Sequence, residues 1–114
     1  MSTPLSVSVE RNDTAVIVSA TGEIDIATAP EFRAPALGAV ARCPGLLVAD
    51  LSGVSFIDSS GLNVLVLLRQ EALSRGHELR LVTSRRIDAV LKIAGLDQVF
   101  AIQPDLPSAL DDTA

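Results

Sequence analysis

Apolar and polar residues alternate from the start of the chain, with Leu5, Val7 and Val9 separated by Ser6, Ser8 and Glu10. A period of two places the two sets on opposite faces of a half-buried strand, and Arg11-Asn12-Asp13 supplies turn chemistry before the next run. Alternation resumes from Ala15 to Thr21, with Val16, Val18 and Ala20 set against Ile17 and Ser19, and stops at Gly22. The pattern predicts an opening β-hairpin.

The period then changes. Thr28-Ala29-Pro30-Glu31 has the form of a capping box, in which the Thr28 hydroxyl accepts from the Glu31 amide and Pro30 sits in a first turn that needs no amide donor. Phe32, Ala36, Leu37 and Val40 continue it as the core-facing stripe of a helix ending near Arg42. Pro35 removes one hydrogen bond to Glu31 and predicts a bend. Leu46-Leu47-Val48-Ala49 is unbroken apolar sequence, the signature of a central strand covered on both faces, followed by a connection over 50–57.

A second helix is predicted over 60–74, with Leu65, Leu68 and Ala72 inward, Arg69, Gln70 and Glu71 toward water, and Gly76 as its stop. A strand over 78–83 follows, then a helix over 85–94 carrying Ile87, Val90, Leu91 and Ile93 and stopped by Gly95. A strand over 99–102 and a short helix after Pro107 close the chain. The order predicts an α/β fold in one domain spanning 3–112. Right-handed crossovers build a mostly parallel mixed sheet with an opening hairpin and three to four helices.

The 114 residues, 48% of them hydrophobic and 20% charged, suit one folded domain. A net charge of −5 would repel a phosphate backbone, so nucleic acid is not an expected partner. No run approaches the roughly 20 apolar residues that span a bilayer, and the first residues lack a basic segment followed by an apolar one, so no membrane and a cytoplasmic location are expected. Free in solution, the chain is expected to be a monomer. The one cysteine, Cys43, has no second Cys or His at ligand spacing and reads as structural. His77, beside Gly76, reads as an exposed loop imidazole.

Polar groups in an open α/β sheet collect beyond the carboxyl ends of its strands. Three segments are expected there: Gly22-Glu23-Ile24-Asp25, Asp50, and Asp58-Ser59-Ser60. They predict a crevice holding Asp25, Asp50 and Ser59 within reach of one another. Any of Asp58, Ser59 or Ser60 could equally cap the helix that follows. Gly61 permits a close approach, and a helix N-terminus accommodates phosphate through its amides and dipole. Leu67 shares a helical face with Asn63, Gln70 and Ser74, where a contact residue fits better than a core residue. Three acids are also the chemistry of a divalent cation, but nothing in their spacing fixes a geometry. No triad or glycine-rich phosphate loop is present, so neither catalysis nor a cofactor is expected.

The segment Asp50-Leu51-Ser52-Gly53-Val54-Ser55-Phe56-Ile57-Asp58-Ser59-Ser60-Gly61-Leu62, preceded by Gly22-Glu23-Ile24-Asp25, resembles the bacterial anti-sigma factor antagonists of the STAS domain family. The resemblance implies a partner-switching protein. Ser59 matches the family's phosphoacceptor, modified by an ATP-dependent anti-sigma factor of the serine-kinase type and restored by a metal-dependent serine phosphatase. Ser60 is its neighbour and cap. The unphosphorylated form would bind the anti-sigma factor and release its sigma factor to RNA polymerase. Asp25, Asp58, Ser60, Gly61, Leu62 and Leu67 are the residues expected to meet partner or kinase, with Asp50 and Glu23 supporting them.

Two other readings stand beside this one. In a non-switching STAS scaffold or transport-complex subunit, Ser59 would only cap the helix. A receiver domain would use Asp50 after its apolar strand, but it needs acids after the first strand and a lysine after the last. Here Glu10-Arg11-Asn12-Asp13 lies in the hairpin and Lys92, the one lysine, lies in a helix.

Overall fold

The computed structural model describes residues 4–111, so the outermost residues of the expected domain, 3 and 112, lie outside the described residues. Five strands and four helices follow one another: β1 Ser6–Arg11, β2 Ala15–Ile24, α1 Ala29–Ala41, β3 Leu46–Ile57, α2 Ser59–Ser74, β4 Glu78–Val82, α3 Arg85–Ile93, β5 Ala101–Gln103 and α4 Leu106–Ala109. The sheet runs β1-β2-β3-β4-β5, with β3 at its centre. β1 pairs antiparallel with β2, and every later pair is parallel.

Spatial order equal to chain order has a consequence for the helices. Successive right-handed crossovers all turn the same way, so α1, α2 and α3 fall on one face of the sheet. That face buries Val16, Val18 and Ala20 of β2, Leu47, Ala49 and Leu51 of β3 and Leu81 of β4 against Phe32, Val40, Leu65, Leu68, Ile87 and Leu91. The residues between them on the strands, Ala15, Ile17, Leu46, Val48 and Val82, point to the other face, where Ala109, Leu106 and Leu110 of the α4 segment cover them. Arg80 pins that segment: its Nη1 donates to the Ala109 carbonyl at 2.7 Å while its Nη2 pairs with Glu78 at 2.7 Å.

Five expectations need correction. β3 runs through the predicted connection to Ile57, and β2 continues past Gly22 to Ile24. In this extension β3 buries Leu51, Val54 and Ile57, spaced by three instead of two. The extra residues are absorbed where the register with β2 slips, between Ser19 and Thr21 and between Gly22 and Glu23. β5 starts at Ala101, two residues later than predicted. Ile93 is 88% exposed, because it lies about 200° around the helix from Leu91 at two residues' separation. His77 is partly buried, its amide closing the end of α2 on the Ala72 carbonyl at 2.8 Å.

α1 runs unbroken through Pro35. Gly76 and Gly95 have φ of 72° and 75° and end α2 and α3, where a side chain would be strained. Cys43 is buried and unpaired.

Candidate functional site

Ile24 and Ile57 are register partners at the ends of β2 and β3, so both strands leave the sheet at one level. Asp25 and Asp58 follow them, and the Asp58 amide donates to the Ile24 carbonyl at 3.2 Å. The two predicted acidic segments therefore meet at one edge of the fold.

Each acid organises its own turn. Asp25 Oδ1 accepts from the amides of Ala27 at 2.9 Å and Thr28 at 3.0 Å. The Thr28 hydroxyl accepts from the Asp25 amide at 2.9 Å and donates to the Glu23 carbonyl at 2.8 Å. This corrects the predicted capping box: Thr28 is helical in φ and ψ and makes no side-chain cap to α1. A carboxylate three residues upstream holds the turn, and the hydroxyl faces backward into it.

At the second turn Asp58 is the cap. Its backbone is extended and its Oδ1 accepts from the amides of Ser60 at 2.9 Å and Gly61 at 3.4 Å. Ser60 is thus not the cap, and Ser59 is not needed as one. Ser59 is the first residue of α2 and is exposed, and among the described residues its hydroxyl makes no hydrogen bond. Gly61 is buried, since the first turn of α2 lies on Ile57 and Ile24 with no room for a Cβ. Leu62 and Leu67 are half-buried.

Asp50 does not join them. It pairs with Ser19, five residues before Ile24 on β2, which at ~3.3 Å per residue is about 17 Å away. Its Oδ1 accepts instead from the amide and hydroxyl of Ser52, at 3.0 and 2.7 Å, where the strand bulges. Placing Asp50 at the crevice assumed that β3 ended at Ala49. The cation-site alternative loses its third ligand as well, and among the described residues no three His, Cys, Asp or Glu side chains converge.

At Ser60 a groove of about 280 Å³ runs between α1 and α2, lined by Ile26, Pro30, Arg33, Ser60, Asn63 and Leu67 among others. Two of these residues escaped the sequence reading. Ile26, 80% exposed, is an apolar residue in a polar turn, and that isolation was the available signal. Arg33 brings to Ser60's groove a cation that the 58–68 segment itself lacks. The packing of α1 beside α2 that places it there has no local signature. A larger cavity of about 460 Å³ lies at the opposite end of β2, lined by Val9, Arg11, Pro35 and Arg42 among others, away from the acids and the serine. Among the described residues no helix is long and apolar enough to cross a membrane.

The strand order, the paired turns and the serine at the head of α2 define a known class: the STAS domain matches residues 6–109, and the chain belongs to that family. The sequence is 29% identical to the anti-sigma-F factor antagonist RsfA of Mycobacterium tuberculosis over 99% of this chain and 91% of that protein. It is 32% identical to RsfB, an anti-sigma-F factor antagonist of the same organism, over 96% and 92%. Among solved structures, an anti-sigma factor antagonist from Mycobacterium paratuberculosis superposes with a TM-score of 0.86 at 34% identity, covering 96% of each chain.

Proposed function

We propose that this domain is an anti-sigma factor antagonist whose unphosphorylated form binds an anti-sigma factor of the serine-kinase type, and that phosphorylation of Ser59 switches the binding off. The observation that carries the reading is the division of labour at the head of α2. Asp58 caps the helix, which leaves the Ser59 hydroxyl exposed and without a structural task. The likeness to the mycobacterial antagonists over nearly the whole chain supports the partner class.

The switch follows from charge. A phosphoserine adds about −1.5 to −2 charges at pH 7, here beside the carboxylates of Asp58 and Asp25 on a chain already at −5. Its phosphate can sit at the N-terminus of α2, where dipole and amides tolerate it, so the domain keeps its fold while the partner meets repulsion. A metal-dependent serine phosphatase would restore the binding form. The domain acts without catalysis or cofactor, as a cytoplasmic monomer when free.

The test combines the purified chain with each kinase-type anti-sigma factor of the same genome and ATP, then maps phosphate by mass spectrometry in wild type, Ser59→Ala and Ser60→Ala. Phosphate abolished only by Ser59→Ala, together with loss of the complex, is expected. A tight complex that ATP never dissolves, with no phosphate on any variant, would replace the switch by a constitutive scaffold.

A further inference from the structure

We propose that Ile26 and Arg33 determine which anti-sigma factor the domain accepts, by seating a segment of that partner that carries an apolar side chain next to a carboxylate. The inference rests on the function proposed above and names the contact surface for it.

An exposed isoleucine alone means little, because apolar atoms make up much of any protein surface. Ile93, at 88% exposed, is such a case. Ile26 differs in two respects. It stands in a turn braced on both sides: the Asp25 carboxylate holds the amides of Ala27 and Thr28, and Thr28 ties back to Glu23. The side chain is therefore presented by an ordered backbone, and binding through it does not have to order the loop first. Ile26 also forms one wall of a groove that reaches Ser60, the chain neighbour of Ser59, and whose other walls include Pro30, Val64 and Leu67.

Charge then selects the occupant. Among the described residues Arg33 is the one charged residue lining this groove, and its side chain makes no ion pair with any of them. A trough with apolar walls at Ile26, Pro30, Val64 and Leu67, neutral polar groups at Ser60 and Asn63 and a single unpaired guanidinium is complemented by an apolar side chain and an adjacent carboxylate, which a guanidinium can grip with two parallel hydrogen bonds. A uniformly basic partner surface, attracted by the overall −5, would leave Arg33 against like charge. Specificity here comes from that penalty as much as from the attraction.

Isothermal titration of the anti-sigma factor that binds wild type is expected to show at least about tenfold weaker binding for Ile26→Ala and for Arg33→Glu. Arg33→Lys is expected to bind with intermediate affinity and Ile93→Ala like wild type. Unchanged melting curves for the variants keep the comparison clean. Wild-type affinity in folded Ile26→Ala and Arg33→Glu overturns the inference while leaving the proposed function intact. Failure of wild type to bind any anti-sigma factor removes that function and this inference with it. A dimer of the free chain that sedimentation detects and Ile26→Ala abolishes would also overturn it, assigning the surface to a second copy.

Discussion

Gly61 lies so close to Ile57 that a Cβ at position 61 would fall 2.5 Å from the Ile57 Cγ1, with Ile24 Cγ2 at 2.8 Å on the other side. Ser59 is two residues away, so its position depends on this contact. Helix α2 can settle onto the ends of β2 and β3 only because its third residue has no side chain. Gly61→Ala is therefore expected to destabilise the domain by ~1–3 kcal/mol, the usual range for overpacking a core, although alanine is the better helix former. Urea unfolding monitored by circular dichroism measures it. A neutral or stabilising result would mean that the two isoleucines shift out of the way at no cost.

The alternating runs of β1 and β2, the helical stripes and the glycine stops made most of the fold legible, because each element declares its own period. The failures came where one element depends on another. The second half of β3 hides behind Asp50, Ser52, Gly53 and Ser55, poor strand formers that are held in the sheet by pairing with β2. Its bulges convert the burial spacing from two to three. Thr28 and Glu31 matched a helix-start pattern, but Asp25 offers its neighbours a charged acceptor and takes the turn. Of the predicted crevice of Asp25, Asp50 and Ser59, the segments carrying Asp25 and Ser59 meet but Asp50 stays back along β3, and the groove nearby is made by α1 packing on α2 and could not be read from either helix.

Asp58→Ala is expected to cost about 1 kcal/mol, since two amides of α2 lose their acceptor. Ser59→Ala is expected to change stability by less than about 0.5 kcal/mol, as an exposed position without a structural partner. Paired denaturation curves decide between this arrangement and one in which the serine caps the helix. Equal losses from the two variants would return Ser59 to a structural role.

Asp25 holds its turn, the proposed function adds an electrostatic duty, and one substitution separates the two. Asn keeps an Oδ1 acceptor for the amides of Ala27 and Thr28 but removes the charge, while Ala removes both. Asp25→Asn is expected to melt within a few degrees of wild type, and Asp25→Ala to lose ~1–2 kcal/mol through the freed amides. A change in anti-sigma factor affinity for Asp25→Asn then reports charge alone. Equal melting of Asn and Ala variants would show that the turn does not rely on this side chain.

Asp105 is held below the ordinary carboxylate value of 3.8, first by the backbone hydrogen bond from Ser108 and then by its side chain. Its Oδ1 accepts from the Ser108 amide at 2.8 Å and so starts α4. A depressed folded-state value stabilises the fold fully above the unfolded value and ceases to do so as pH falls through the folded one. The seating of α4 on the sheet is thus expected to weaken below about pH 3.8. Amide exchange at Ala109 and Leu110 across that range checks it, and Asp105→Asn is expected to flatten the dependence.

Ser59→Asp tests whether the switch acts through the surface or through the fold. A negative charge at the first position of α2 gains about 0.3–1 kcal/mol from the helix dipole, and it loses part of that to the Asp58 carboxylate next to it. The net effect is below about 1 kcal/mol, so the melting temperature is expected to stay within a few degrees of wild type. Amide chemical shifts are expected to change only around the heads of α1 and α2. Binding to the anti-sigma factor is expected to fall at least tenfold in the same protein. Shifts spreading into the central strands at Val48 and Leu81 would mean that the added charge works by repacking the core, and the repulsion argument would have to be abandoned.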